Sequence, residues 1–153
     1  MNRMEDIYPF ILEAFDKNLT FTFPIHGTSM LPLLRTGDLV TIKKIDQELK
    51  KGDIILYKRL DNSFVLHRIR YVKKDSYTLV GDHQAVLEEG VKDFQIIGVV
   101  ISYNKKNKEH HMNNLRYKIY KQIVRNTIIR KIFGRIYKWE IENILSYFLY
   151  LQF

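Results

Sequence analysis

The sequence predicts a mainly β protein with a short N-terminal helix and a basic helical C-terminal extension. Short β-rich runs fill the middle of the chain, apolar residues recur at helical spacing near both ends, and Lys and Arg concentrate after residue 104. With 153 residues, the chain is long enough for one compact core. We therefore divide it into an N-terminal helix at 1–20, a β core at 21–103 and a helical extension at 104–153.

The N-terminal helix is predicted between Met4 and Phe15. Glu5 and Asp6 stand in its first turn, where the helix dipole favours negative charge. Its apolar residues recur at three- to four-residue intervals, which is typical of a helix with one buried face. They are Ile7, Phe10, Ile11, Ala14 and Phe15.

Six strands are predicted in the central region, because runs rich in β-branched and aromatic residues leave little room for helices between them. These runs are Phe21–His26, Leu39–Lys43, Ile54–Arg59, Phe64–Tyr71, Ser76–Val80 and Gln95–Ser102. The dipeptide Gly-Asp occurs at positions 37, 52 and 81. We interpret the first two as turns in front of strands, since glycine permits positive φ and aspartate bonds nearby backbone N–H groups.

The net charge of +8 belongs to the C-terminal extension. Residues 1–103 contain equal numbers of acidic and basic side chains, whereas residues 104–138 contain Glu109 as their one acid. The polar run 104–114 is interpreted as a linker between the β core and the basic helices. The end at 144–153 is almost entirely apolar. Three interpretations stay open: helices covering the core, attachment of residues 115–153 to an anionic membrane surface, or capture of an acidic peptide or nucleic acid. Interleaved isoleucine and aromatic residues favour the first two and disfavour nucleic acid.

The composition excludes several kinds of site. The chain has no cysteine, which rules out disulfides, thiol nucleophiles and thiolate zinc sites. The five histidines lack a paired helical spacing and no carboxylate cluster accompanies them, so we expect neither a metal nor a cofactor. The apolar stretches are shorter than a membrane span, and acidic residues stand where a signal peptide carries positive charge. We expect a cytoplasmic protein, either free or peripheral at the membrane.

A serine in a turn of small residues is the first candidate for chemistry. Ser29 lies in the stretch I-H-G-T-S-M-L-P-L-L-R-T-G-D-L-V, with Gly27 before it and Pro32 after it. A rigid turn presents a hydroxyl together with backbone N–H groups, the combination that a nucleophile and its oxyanion need. Alternatively, Ser29 caps backbone groups of the turn.

A serine nucleophile needs a base, and His67 is the best candidate. It lies in the apolar run F-V-L-H-R-I, where a polar side chain is costly unless it faces a site or is hydrogen-bonded. The ordinary histidine pKa of about 6.5 suits base chemistry near neutrality. A purely structural, hydrogen-bonded histidine remains the alternative.

Five motifs, taken in order, carry a family resemblance. S-M-L-P-L-L-R-T-G-D-L-V, K-G-D-I-I-L-Y, V-L-H-R-I, L-V-G-D-H-Q and I-I-G-V-V resemble the conserved boxes of the type I signal peptidases and of the self-cleaving repressors that share their fold. The resemblance spans residues 21–102. It implies an antiparallel β core and a serine endopeptidase in which Ser29 is the nucleophile and His67 the general base.

Histidine at position 67, where many bacterial members have lysine, is similar to the endoplasmic-reticulum and spore-former type of signal peptidase. An aspartate contributes in that type, and Asp82 stands at the matching position. Asp82 would accept a hydrogen bond from the second ring nitrogen of His67 and so orient the imidazole. Alternatively, it holds its turn or bonds the neighbouring Arg68.

The chain departs from the family pattern in two respects. Gly27 stands where some signal peptidases have a serine that helps to bind the oxyanion, so the oxyanion hole would rely on backbone N–H groups, chiefly that of Ser29. The usual membrane anchor is also missing from the sequence.

The resemblance also implies an extended peptide substrate. The positions matching the substrate pocket are Ile25, Met30 and Leu34, whose bulk would favour small residues next to the scissile bond; all three could equally belong to the core. The sequence thus predicts a Ser-His endopeptidase that cleaves a leader, signal or precursor peptide. The alternative is a self-cleaving or inactive regulatory, peptide-binding protein, which the lack of a helix-turn-helix ahead of the core disfavours.

Overall fold

The computed structural model describes residues 4–125, which form one antiparallel sheet with a helix at each end of this stretch. The helices are α1 (Met4–Asp16) and α2 (Leu115–Arg125). The strands are β1 (Phe21–Pro24), β2 (Leu39–Lys43), β3 (Ile54–Lys58), β4 (Phe64–Lys73), β5 (Ser76–Val80), β6 (Glu88–Val91), β7 (Ile96–Lys105) and β8 (Lys108–His111). A 3-10 turn at Asp93–Gln95 precedes β7. The predicted mainly β class, with its antiparallel core, is confirmed.

The long strand β7 joins the two halves of the sheet. The strand order is β1-β2-β7-β3-β4-β5-β6, and β8 pairs with the end of β7. The first half of β7 pairs with β3 and its second half with β2, so that Val99 lies beside both Lys43 and Ile55. The site described below is assembled from the two sides of this strand, with β1 and β2 on one and β3 to β6 on the other.

The six predicted strands are present, β2 and β5 with the predicted ends and the other four with shifted ends, and two further strands occur. The missed strands, β6 and β8, have the polar sequences E-E-G-V and K-E-H-H, which carry no apolar alternation. The polar run 104–114 contains the turn of the β7–β8 hairpin, where Lys106 and Asn107 adopt φ values of 49° and 62°. The sheet therefore continues beyond residue 103.

Strand β3 is buried on both faces and separates two apolar clusters. Ile54 and Leu56 point into the first cluster, which also contains Ile11 and Phe15 of α1. Ile55 and Tyr57 point into the second cluster, on the opposite face of the sheet. A strand whose successive side chains are all buried reads in sequence as a continuous apolar run, and I-I-L-Y is such a run.

Helix α2 packs against the β core through one face. Tyr117, Tyr120 and Val124 are all less than 5 % exposed and belong to the first cluster. Lys121 reaches Asp53 across a 3.3 Å ion pair, whereas Ile119 on the other face is 55 % exposed. The described part of the basic extension thus covers the core.

The remainder of the extension, including the apolar end predicted at 144–153, lies outside the described residues. Between Met4 and Arg125, neither helix is long and apolar enough to cross a membrane.

Removing the anchor of α2 should destabilise the whole protein. Tyr120→Ala deletes a buried ring and a hydrogen bond from its hydroxyl to Asp82, so we expect the free energy of unfolding to fall by about 3–5 kcal/mol. The neighbouring Ile119→Ala is the matched control, with an expected change within about 0.5 kcal/mol. Urea denaturation followed by circular dichroism measures both. Equal effects of the two variants would contradict the packing of α2 on the core.

Candidate active site

The turn that carries Ser29 is fixed by backbone and hydroxyl hydrogen bonds. Beyond β1, the Ile25 N–H donates to the Asp38 carbonyl, and Ile25 in turn accepts from the Gly37 N–H, both at 2.9 Å. The Thr36 hydroxyl bonds both the N–H and the carbonyl of Gly27 at 3.1 Å. Gly27 has a φ of +100°, a conformation that side-chain-bearing residues rarely adopt. The local sequence therefore specifies a defined turn just before Ser29.

A second loop, at residues 81–84, lies directly against Ser29. The His83 N–H donates to the Ser29 carbonyl at 2.9 Å. A Cβ on Gly81 would lie 2.5 Å from the same carbonyl oxygen, so only glycine permits this approach. The third Gly-Asp dipeptide of the sequence thus serves the Ser29 turn, whereas the first two precede β2 and β3.

His67 lies on β4 and lines the same pocket as Ser29. The pocket has a volume of about 240 Å³, and Phe64 to His67 form one of its walls. Its lining residues are Ile25, His26, Gly27, Ser29, Met30, Arg59, Phe64, Val65, Leu66, His67 and Gln84. Among the described residues no hydrogen bond joins the Ser29 hydroxyl to the His67 ring. The two side chains therefore line one pocket without being hydrogen-bonded to each other.

The imidazole of His67 is neutral at physiological pH. Its residue is only 3 % exposed, and burial lowers the pKa to about 4. The negative charges of Glu88 and Asp82 raise the pKa of His67, and the positive charge of Arg59 lowers it. These effects are smaller than the effect of burial. A neutral imidazole has one nitrogen that can accept a proton, as a general base must.

The hydrogen-bond partner of His67 is Tyr57. The Tyr57 hydroxyl lies 3.2 Å from His67 Nδ1 and donates to Glu88 Oε2 at 2.6 Å. Arg59 holds the Glu88 carboxylate through its Nε at 2.9 Å and its Nη2 at 2.6 Å. Burial raises the pKa of Glu88, but the bonds from Arg59 and Tyr57 outweigh burial and leave that pKa below its ordinary value. No sequence pattern marks Tyr57, Arg59 or Glu88 as a site residue.

The carboxylate of Asp82 pairs with Arg68, which is the alternative that the sequence left open. Arg68 Nε and Nη2 donate to the two carboxylate oxygens at 2.7 Å and 2.6 Å, and both side chains are almost completely buried. The Tyr120 hydroxyl adds a bond of 3.0 Å. Arg68 Nη1 also donates to the Gly52 carbonyl and to the Tyr117 hydroxyl. Both oxygens of Asp82 are thus engaged by groups other than His67.

The three residues predicted to line a substrate pocket divide into two kinds. Ile25 and Met30 line the pocket that contains Ser29, although each is also part of the first apolar cluster. Leu34 has no exposed surface and lies in that cluster away from the pocket. Because all three residues are bulky and apolar, the sequence alone gives no means of separating a pocket wall from the core.

The remaining histidines are dispersed. His26 lines the pocket, and His83 contributes its backbone N–H to Ser29. His110 and His111 belong to β8, where His110 stacks on Tyr103. Within residues 4–125, no group of three or more histidine and acidic side chains is arranged to hold a metal ion.

The comparisons with known proteins give one match, which covers most of the β core. The family model described as Peptidase S24-like matches residues 1–101. No curated protein and no solved structure was found to match the chain. The matched residues include the Ser29 turn, the His67 strand and the 81–84 loop, and they make up more than half of the chain. This protein therefore belongs to the Peptidase S24-like family.

Proposed function

We propose that this protein is a serine endopeptidase that cleaves an extended leader, signal or precursor peptide, with Ser29 as nucleophile and His67 as general base. The observation that supports this proposal most is the pocket that Ser29 and the neutral His67 line together. Membership of a peptidase family adds a second, independent support. A histidine is already largely neutral near pH 7, whereas a lysine could accept a proton there only after burial had lowered its pKa.

The proposed reaction proceeds in two steps. The Ser29 hydroxyl transfers its proton to His67 Nε2 while its oxygen attacks the peptide carbonyl, and backbone N–H groups of the turn, chiefly that of Ser29, stabilise the oxyanion. The imidazolium then protonates the leaving amine as the peptide bond breaks. A water molecule deprotonated by the same imidazole hydrolyses the acyl-enzyme and regenerates both residues.

Substrate binding has to bring the two groups into hydrogen-bond contact. Catalytic hydrogen bonds are often long in free enzymes and tighten in the complex with substrate. The Ser29 turn is held by the 81–84 loop, and His67 is held within a paired strand, so we expect their side chains rather than their backbones to move.

The walls of the pocket indicate which peptides fit. Ile25 and Met30 are bulky and apolar, and a volume of about 240 Å³ leaves room for small side chains next to the scissile bond. An extended peptide would bind through backbone hydrogen bonds, with alternate side chains entering the pocket.

Self-cleavage, or peptide binding without cleavage, is the second candidate function. Family membership supports it, and so does the resemblance of the five sequence motifs to those of self-cleaving repressors. Incubating the purified full chain alone and following its intact mass separates self-cleavage from cleavage of added peptides.

Loss of either member of the dyad should abolish cleavage. We expect Ser29→Ala and His67→Ala each to lower kcat/KM on a leader-type peptide by at least about a thousandfold. Ser76→Ala and His111→Ala, which change a serine in β5 and an exposed histidine in β8, are the matched controls and should keep activity within about twofold. Cleavage that persists in both dyad variants would rule out the proposal.

The pH dependence of cleavage should show a base with a depressed pKa. Because burial disfavours the imidazolium form of His67, kcat/KM should stay constant from neutrality to about pH 5 and fall as the pH drops through about 4. In the unfolded chain His67 titrates near 6.5, so unfolding takes up a proton between these values and stability also decreases as the pH falls. Circular dichroism at each pH therefore confirms that the protein is folded. An acid limb near pH 6.5 would contradict the depressed pKa.

A variant of Asp82 distinguishes a structural aspartate from one that orients the base. Asp82→Asn leaves the Arg68 charge buried and unpaired, so we expect the free energy of unfolding to fall by about 3–5 kcal/mol. Asp75→Asn, in the exposed β4–β5 turn, is the control and should be neutral. A strong loss of kcat at unchanged stability would instead assign Asp82 to the orientation of His67.

A further inference from the structure

We infer that Tyr57 is a positioning residue for His67, because its hydroxyl fixes the imidazole in the tautomer that carries hydrogen on Nδ1 and leaves Nε2 able to accept the proton of Ser29. The inference rests on the proposed function, since it assigns a role within the same site. It replaces the aspartate expected from the resemblance with a tyrosine supported by a glutamate and an arginine.

The hydroxyl of Tyr57 has one proton, and that proton is committed to Glu88. The bond from Tyr57 to Glu88 Oε2 is 2.6 Å long, typical of a hydroxyl donating to an ionised carboxylate. The oxygen of Tyr57 can then only accept from His67 Nδ1, 3.2 Å away. A neutral ring with hydrogen on Nδ1 has its lone pair on Nε2. The direction of one hydrogen bond thus decides which nitrogen acts as the base.

Arg59 keeps Glu88 ionised and in place. Its guanidinium bonds both carboxylate oxygens, with three contacts between 2.6 Å and 3.0 Å. An ionised Glu88 accepts hydrogen bonds and donates none, so Tyr57 cannot turn its proton toward His67 without giving up its own 2.6 Å hydrogen bond to that carboxylate. The pKa of Tyr57 is raised by burial and by its bond to Glu88, so the phenol remains protonated.

The pairing of β3 with β4 fixes the contact between Tyr57 and His67. Ile55 lies opposite His67, and Tyr57 lies opposite Val65, so Tyr57 and His67 are diagonal neighbours on one face of the sheet. Glu88 is delivered to the same face by β6. Tyr57 has no exposed surface, so water does not compete for its hydroxyl.

The tautomer of His67 can be measured without any substrate. In ¹⁵N NMR spectra of the full chain at neutral pH, protonated and unprotonated ring nitrogens are distinct, and we expect hydrogen on Nδ1 of His67 in the wild type. Tyr57→Phe removes the acceptor and should make the Nε2–H tautomer, which free histidine prefers, a major species. Tyr77→Phe is the matched control, because Tyr77 also bonds a carboxylate, that of Asp93, and should leave the His67 spectrum unchanged.

Kinetics provide the second measurement. Tyr57→Phe should lower kcat by about tenfold, with KM within about twofold, because the change affects the base and leaves the pocket wall intact. If Tyr57→Phe fails to fold, Glu88→Gln weakens the acceptor of the Tyr57 proton and should shift the tautomer in the same direction by a smaller amount.

The outcomes separate the two proposals. A wild-type ring with hydrogen on Nε2, or an unchanged tautomer in Tyr57→Phe, overturns the role of Tyr57 even when Ser29 and His67 prove essential for cleavage. A tautomer that responds as expected supports that role. If Ser29→Ala and His67→Ala both retain cleavage, the proposed peptidase function fails, whatever the spectrum of the ring.

Discussion

The buried ion pair between Arg68 and Asp82 connects the strand that carries His67 to the loop that contacts Ser29. Arg68 follows His67 directly on β4, and Asp82 precedes His83, whose N–H holds the Ser29 carbonyl. Both charged side chains are at most 4 % exposed, so burial removes nearly all of their hydration. Hydrogen bonds to both carboxylate oxygens and from all three guanidinium nitrogens offset this cost. The distance between the base strand and the nucleophile loop therefore depends on this pair.

Successive residues of β4 place the base and the buried ion pair on opposite faces of the sheet. Side chains alternate along a strand, so His67 faces the pocket while Arg68 points to the side covered by Tyr117 and Tyr120 of α2. The most deeply buried charges, those of Arg68 and Asp82, thus lie on the face of β4 opposite the pocket. On the pocket side, Glu88 is neutralised by Arg59, which lets burial dominate the pKa of His67.

Much of the fold follows from composition, and much of the site does not. Runs such as I-I-L-Y are short, apolar and rich in β-branched and aromatic residues, which favours a buried strand, whereas β6 pairs with β5 without an apolar pattern of its own. Glu88 could not be placed without that strand. Tyr57 stood in a recognised motif, but its contact with His67 depends on a strand register that turn length sets and composition does not. The apolar residues Ile25 and Leu34 likewise gave the same signal, although one lines the pocket and the other the core.

Glycine at position 81 limits how this site can vary. Its φ is not positive, so the requirement comes from the missing side chain: any Cβ would meet the Ser29 carbonyl oxygen at 2.5 Å and the Ser29 Cβ at 3.0 Å. The 81–84 loop could accommodate a larger residue only by retreating from the serine turn, and the bond from His83 would lengthen with it. Saturation mutagenesis of residues 81–86 would therefore leave a single permitted amino acid at position 81, whereas Ala85 and Val86, which follow the loop and are exposed, accept broad replacement.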